Sequence, residues 1–182
     1  MKSEIKLIKL NLDNVFLENS ICHILIAKNF LFTQDEKEKY FTKIHISETT
    51  SNLIIKINDM IVHLKKPINF GIFFQTILNL LSKHQIVIHN MIFFPFQQKL
   101  SYNNKNIYLN DIHNKVFSYL YLYKENGVDK YFLYQKIWPS DKDVFINKLD
   151  SHLSNLKNEI QKNLDFNFDY SSKNKLIRLI IN

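Results

Sequence analysis

The sequence predicts an α+β protein of two modules. A small α/β module covers residues 1–83, and a second module over residues 84–182 has a leading antiparallel sheet, three helices and a C-terminal hairpin. Two observations predict this arrangement. Short apolar runs separated by turn residues are typical of strands, while several longer segments repeat their apolar residues at helical spacing. Near residue 84 a helical pattern gives way to short strands, so the module boundary is predicted there.

The first module begins with strand patterns. Residues 4–11 alternate apolar and polar side chains, and residues 22–27 form a short apolar run typical of a buried strand. Residues 34–41 are polar and compatible with a helix. Residues 43–47 and 53–57 are further predicted strands.

A helix is predicted directly after Asn69, which can cap its first turn. Its apolar residues recur at helical spacing and are expected to face the core: Ile72, Phe73, Ile77, Leu80 and Leu81.

The second module begins with predicted strands over residues 86–93, 98–102 and 107–109, with a turn at residues 103–106. The predicted elements that follow are a helix from Asp111 to about Tyr123, a helix over Lys130–Trp138, a helix over Val144–Lys162, and strands over Phe166–Tyr170 and Leu176–Ile181. Asn126-Gly127 and Pro139 end the first two of these helices.

The helix over residues 144–162 is predicted to be amphipathic. Its apolar stripe consists of Phe145, Leu149, Leu153, Leu156 and Ile160. Its polar side carries Asn147, Lys148, Ser151, Asn155, Asn158 and Lys162.

Composition excludes several functional classes. The chain has 182 residues, of which 46% are hydrophobic and 23% charged, as expected of a folded protein. With two glycines it has neither a glycine-rich phosphate loop nor a dinucleotide fingerprint. No histidine-carboxylate cluster has metal-ligand spacing, and no nucleophile–base–acid set is recognisable, so no metal, cofactor or enzymatic activity is expected.

Cellular location is indicated by cysteine usage and hydropathy. Cys22 is the single cysteine, which suits a reducing compartment such as the cytoplasm. The charged start at Met1–Lys6 and the lack of a run of about 20 apolar residues indicate neither export nor a membrane span.

The net charge of +7 favours a polyanionic partner. The charge is divided nearly evenly between the two modules, and Arg178 is the sole arginine. The net charge is therefore only weak support for a polyanionic partner. The abundance of lysine, asparagine and isoleucine is typical of a biased genome composition.

Two motifs resemble winged helix-turn-helix domains of the OmpR/PhoB type. Leu133–Trp138 resembles the family's Leu-x-x-x-Val-Trp, and Leu149–Lys157 resembles its Val-Asp-x-His-Ile-x-x-Leu-Arg. Residues 86–109 resemble its leading sheet, with Leu109-Asn110 in the place of a Leu-Thr. The resemblance covers residues 86–182.

The resemblance implies a bacterial, cytoplasmic, DNA-binding transcription regulator. The helix over residues 144–162 would read the major groove of double-stranded DNA, and the hairpin over residues 166–181 would act as a wing. The residues expected to contact DNA are Asn147, Lys148, Ser151, Asn155 and Lys157 on the helix, with Lys173, Lys175 and Arg178 on the wing. Asn155, Asn158 and Glu159 stand where relatives are usually basic, so weaker and less salt-sensitive binding is expected. Trp138 and His152 match family positions and are interpreted as structural.

The first module resembles a shortened response-regulator receiver. Lys66-Pro67 precedes a helix, as it does at the end of family receivers, and Lys66 is interpreted as a remnant of that site. Receivers carry an acidic pair for Mg²⁺ after their first strand, where this chain has Ala27 and Lys28. The predicted strand over residues 53–57 has no phosphoacceptor aspartate, and Asp59 lies beyond it. We therefore expect a pseudo-receiver that does not take part in a phosphorelay and that offers a surface for a homodimer.

An alternative stays open from the sequence. The module could have kept its fold, lost DNA binding, and come to bind another regulator or RNA polymerase through apolar and aromatic surface. A positive surface over residues 144–178 favours DNA, whereas an interrupted one with exposed Phe or Leu favours a protein partner.

Overall fold

A computed structural model describes residues 8–12, 19–23, 32–33, 39–173 and 175–181 of the chain. It is a mixed α/β structure with antiparallel sheets. The chain divides into two compact units between His84 and Gln85, and each unit is described by itself below.

The unit ending at His84 contains a five-stranded sheet. Its strands are β1 (Ile8–Leu12), β2 (Phe32–Thr33), β3 (Thr42–Glu48), β4 (Asn52–Ile57) and β5 (Met60–Lys65), in the order β2-β1-β3-β4-β5. Strand β1 runs parallel to β2 and β3, whereas β3, β4 and β5 form antiparallel hairpins. The strands predicted over residues 43–47 and 53–57 are thus confirmed as β3 and β4.

Helix α1 (Phe70–Ser82) covers this sheet. Asn69 caps it as predicted, because its Oδ1 accepts the backbone N–H of Ile72 at 3.2 Å. Four of the five predicted core residues are buried: Phe73, Ile77, Leu80 and Leu81. The fifth prediction was wrong, since Ile72 lies in the first turn and is 59% exposed.

Three further predictions in this unit had mixed outcomes. Residues 19–23 are helical, so the predicted strand over residues 22–27 was wrong at Cys22 and His23, and residues 24–27 lie outside the described residues. A short apolar run fits a buried helical turn as well as a strand, which explains the error. The described part of the strand predicted over residues 4–11 lies in β1. The helix predicted over residues 34–41 is described only at residues 39–41, and these residues are not helical.

The unit beginning at Gln85 opens with a four-stranded antiparallel sheet in sequence order. Its strands are β6 (Ile86–Ile88), β7 (Met91–Phe94), β8 (Lys99–Tyr102) and β9 (Lys105–Tyr108). The strand predicted over residues 86–93 was wrong as a single element, because the chain turns at His89, which has a φ of +51°. Asn103 and Asn104 both have positive φ, which suits the two-residue hairpin between β8 and β9.

Three helices and a small sheet complete this unit. The helices are α2 (Asp111–Leu122), α3 (Lys130–Ile137) and α4 (Ile146–Leu164). Strand β12 (Leu176–Ile181) lies between β10 (Val128–Asp129) and β11 (Phe168–Lys173), antiparallel to both. The predicted elements are confirmed, with ends shifted by a few residues.

The core of the second unit is aromatic and aliphatic. The Phe117 ring of α2 lies 4.8 Å from Phe93 and 5.7 Å from Phe168, so α2 joins the leading sheet to the hairpin. Helix α4 packs against β9, α2, α3 and β11. Its buried residues are Leu149, Leu153, Leu156, Ile160 and Leu164. Phe145 was wrongly predicted to join them; it precedes the helix and is 57% exposed.

Candidate nucleic-acid interface

Over residues 147–158, the outward side of α4 is a line of uncharged hydrogen-bonding residues. At roughly 100° per residue this line lies opposite the buried leucines. We call it the outer stripe, and it consists of Asn147, Ser151, Ser154, Asn155 and Asn158, all of them exposed. Three of its members were predicted to contact DNA. Ser154 was missed, although its i+3 spacing from Ser151 could have identified it.

The Ser151 hydroxyl donates a hydrogen bond to the backbone carbonyl of Asn147 at 2.8 Å. Its oxygen keeps acceptor capacity toward solvent. Lys162 follows the outer stripe in the last turn of α4 and is exposed.

One flank of α4 is fastened near its start by Asp141. This carboxylate accepts hydrogen bonds from the Tyr134 hydroxyl at 2.6 Å and from Lys148 Nζ at 2.9 Å. The hydrogen bond from Tyr134 is the main cause that lowers the pKa of Asp141, and the bond from Lys148 is the second. Burial is the main cause that raises the pKa of Tyr134, and its bond to Asp141 is the second. Lys148 Nζ also lies 4.4 Å from the centre of the Trp138 ring. The predicted DNA contact Lys148 is thus engaged within its own unit.

Further along the same flank, α4 is joined to α2. His113 Nδ1 lies 2.7 Å from a Glu159 carboxylate oxygen. The His152 ring lies 5.7 Å from the His113 ring and 5.3 Å from the Trp138 ring. These contacts agree with the interpretation of Trp138 and His152 as structural residues.

Two ion pairs fasten the opposite flank. Lys130 Nζ, at the start of α3, lies 2.6 Å from Asp150, and Lys157 Nζ lies 3.0 Å from Asp169 on β11. Asp169 also accepts the backbone N–H of Tyr170 at 2.7 Å. The bond from Lys157, followed by this backbone bond, lowers the pKa of the Asp169 carboxyl. The second lysine predicted to contact DNA from α4 is therefore also paired with an acid.

The hairpin of β11 and β12 carries the predicted wing cations. Lys173, Lys175 and Arg178 are exposed, and the Lys175 backbone occupies the left-handed region with a φ of +65°. The Lys130 backbone N–H donates to the Lys175 carbonyl at 2.9 Å, which ties the hairpin to the start of α3.

Gly127 supports Arg178. The glycine has a φ of +78°, and a Cβ at this position would lie 2.8 Å from Arg178 Cγ. The absence of a side chain at residue 127 lets the arginine stem lie against the backbone.

The receiver-like residues lie in the other unit. Lys66 Nζ contacts Glu48 Oε2 and the Thr49 carbonyl oxygen, both at 2.9 Å. Asp59 is exposed in the turn between β4 and β5, while Ala27 and Lys28 lie outside the described residues.

The described residues offer neither a metal site nor a membrane span. They contain no group of three His, Cys, Asp or Glu side chains placed to hold a metal ion. Nor does any helix formed by these residues have the length and apolar character needed to cross a membrane.

Comparison with known proteins shows a structural likeness. The DNA-binding domain of E. coli CadC is similar to this chain, with a TM-score of 0.48 and 13% identity, over 56% of this chain and 95% of that one. No family model matches the chain, and no curated protein matches it. A likeness of this size assigns neither a family nor a function to the chain.

Proposed function

We propose that residues 84–182 form a winged helix-turn-helix domain of the OmpR/PhoB type that binds duplex DNA, and that the chain regulates transcription. Helix α4 would enter the major groove and the β11–β12 hairpin would contact the phosphates or the minor groove. The observation that carries this proposal is the exposed outer stripe of α4, held opposite a fully buried stripe, in the same unit as a hairpin with three exposed cations.

The chemistry of these two surfaces is complementary to DNA. Amide and hydroxyl side chains can pair with base edges, and lysine and arginine can neutralise phosphates. Lys148 and Lys157 are paired with Asp141 and Asp169, so the wing would supply more of the phosphate contacts than α4 does.

We further propose that residues 1–83 are a shortened pseudo-receiver and that regulation is independent of phosphorylation. The strand order β2-β1-β3-β4-β5 is the order of one class of doubly wound sheets, although here β4 and β5 are antiparallel hairpin strands. Incubation with acetyl phosphate that carries a radioactive phosphoryl group is expected to transfer no label to the protein. Label on Asp59 or on another aspartate would contradict this part of the proposal.

Fluorescence anisotropy of the full chain on a random-sequence duplex, titrated with salt, tests the DNA-binding proposal. The double variant Lys173→Ala/Lys175→Ala is expected to bind more weakly, with the slope of log affinity against log salt reduced by up to about 2. Lys105→Ala/Lys124→Ala removes the same charge from exposed positions outside α4 and the wing and serves as the control. Equal affinities for the two double variants would contradict the role of the wing.

A second function has its own observation. Exposed aromatic residues near the start of α3 and α4, Tyr131 at 46% and Phe145 at 57%, together with the pairing of Lys148, favour a protein-interaction module that contacts another regulator or RNA polymerase. The full chain would then bind no duplex at low salt while remaining folded.

A further inference from the structure

We propose that the outer stripe reads adenine·thymine pairs, so that the preferred duplex is rich in A·T. This inference rests on the proposed function, because it assumes that α4 enters the major groove. It adds the class of sequence that the groove must present.

The first step concerns charge. Each charged side chain among residues 147–159 of α4 lies on a flank and has a side-chain partner within the unit: three form ion pairs, and Glu159 lies against the imidazole of His113. The four α4 residues are Lys148, Asp150, Lys157 and Glu159. The buried leucine stripe orients α4, and these contacts hold its charged side chains along the flanks, so that neutral amides and hydroxyls face outward over residues 147–158.

The second step concerns base chemistry. Guanine presents two acceptors in the major groove and is typically read by Arg or Lys, and cytosine presents a donor that Asp or Glu accepts. The outer stripe contains none of these residue types. Asparagine donates to N7 and accepts from the N6 amino group of adenine in a bidentate pair. The stripe has three asparagines, Asn147, Asn155 and Asn158, and two serines that can pair with either kind of base.

The third step concerns position. In helix-turn-helix docking the base contacts come from the N-terminal part of the recognition helix. Asn147 and Ser151 lie in the first half of α4 and Asn155 at its midpoint, while Lys162 lies in its last turn. The exposed Lys162 would therefore lie beyond the bases that the outer stripe reads.

The test is competition binding of the full chain to duplex pools of equal length. One pool is randomised with A and T only and one with G and C only. A third pool repeats the A·T pool with 7-deazaadenine, which lacks the N7 acceptor in the major groove but keeps Watson–Crick pairing and the minor-groove edge. The A·T pool is expected to bind most tightly. Substitution by 7-deazaadenine is expected to weaken binding by about tenfold for each asparagine–adenine pair that it disrupts.

The matched variants are Asn147→Ala/Asn155→Ala on the stripe and Asn106→Ala/Asn126→Ala at exposed positions outside α4. Because alanine favours the helix, the stripe variant is expected to fold, and urea unfolding checks this. It should lose most of the response to 7-deazaadenine, whereas the control should keep all of it.

The outcomes separate the two proposals. Tight binding with no preference for A·T, or binding that 7-deazaadenine leaves unchanged, overturns the base-reading inference while the DNA-binding proposal stands. No binding to any pool by the folded protein overturns the proposed function, and this inference with it.

Discussion

At the residue scale, Gly127 is the position where a single methyl group has the clearest consequence. Its φ of +78° and the 2.8 Å approach of Arg178 both disfavour a side chain. Gly127→Ala is expected to lower the free energy of unfolding by about 1–2 kcal/mol or more and to displace Arg178. Urea unfolding measures the first effect and DNA affinity the second. The exposed neighbour Asn126→Ala should change neither, and an unchanged stability for Gly127→Ala would show that the backbone can relax.

His152 is expected to give the second unit a pH-dependent stability. Burial, followed by the nearby His113 and Lys148, lowers the pKa of His152 below its usual 6.5. The ring also contacts Trp138, and His113 in turn faces Glu159. Since the unfolded chain then binds a proton more readily than the folded one, this contribution to stability is full above about pH 6.5 and is lost as the pH falls toward the folded pKa.

Urea midpoints at several pH values test this expectation. His152→Gln should reduce the loss of stability on acidification below about pH 6.5. The exposed His63→Gln, in the other unit, should leave the pH dependence as it is. If His152→Gln leaves the pH dependence of the urea midpoint unchanged, His152 is not the cause of that dependence.

At the scale of elements, ion pairs hold the α4 lysines Lys148 and Lys157 on acids of their own unit, whereas the proposed function would have lysines on this helix contact phosphates. Asp169→Asn removes the charge that holds Lys157 and should free this lysine for a phosphate. We expect tighter DNA binding, and a slope of log affinity against log salt that is steeper by about 0.9. The free energy of unfolding should fall by no more than about 1 kcal/mol, because the ion pair is partly exposed. The control is Asp165→Asn, at the end of α4, which also removes one exposed negative charge. If both variants gain affinity equally, net charge alone accounts for the effect.

The helices that follow residue 69 were more predictable than the strands. Asn69, Asn110 and Asp129 cap α1, α2 and α3 through hydrogen bonds to backbone N–H groups three residues on, and such local signals are visible in sequence. The strand predicted over residues 22–27 failed at Cys22 and His23, and the strand predicted over residues 86–93 failed at the turn of His89, because a short apolar run does not by itself distinguish these outcomes.

The residues of the candidate site also differ in how far the sequence alone predicts them. The outer stripe follows from helical periodicity alone, so most of its members were predicted. The ion pairs of Lys148 and Lys157 were not, because Asp141 and Asp169 lie outside α4, and only the fold brings them within 3.0 Å.

At the scale of the whole molecule, the chain divides between His84 and Gln85. A fragment of residues 85–182 keeps α2, α3, α4 and the wing together with their core. We expect it to unfold cooperatively in urea and to bind duplex DNA with the same salt slope as the full chain. A folded fragment with a clearly smaller slope would mean that the first unit contributes phosphate contacts.

The central claim is that the outer stripe of α4 faces DNA, and cysteine protection tests it most directly. Cys22 is the single cysteine, so a Cys22→Ser background accepts Asn155→Cys on the stripe or Lys105→Cys on the leading sheet. Duplex DNA is expected to slow maleimide modification at residue 155 in proportion to the fraction of protein bound and to leave residue 105 unaffected. Equal modification rates at residue 155 with and without bound DNA would contradict the account.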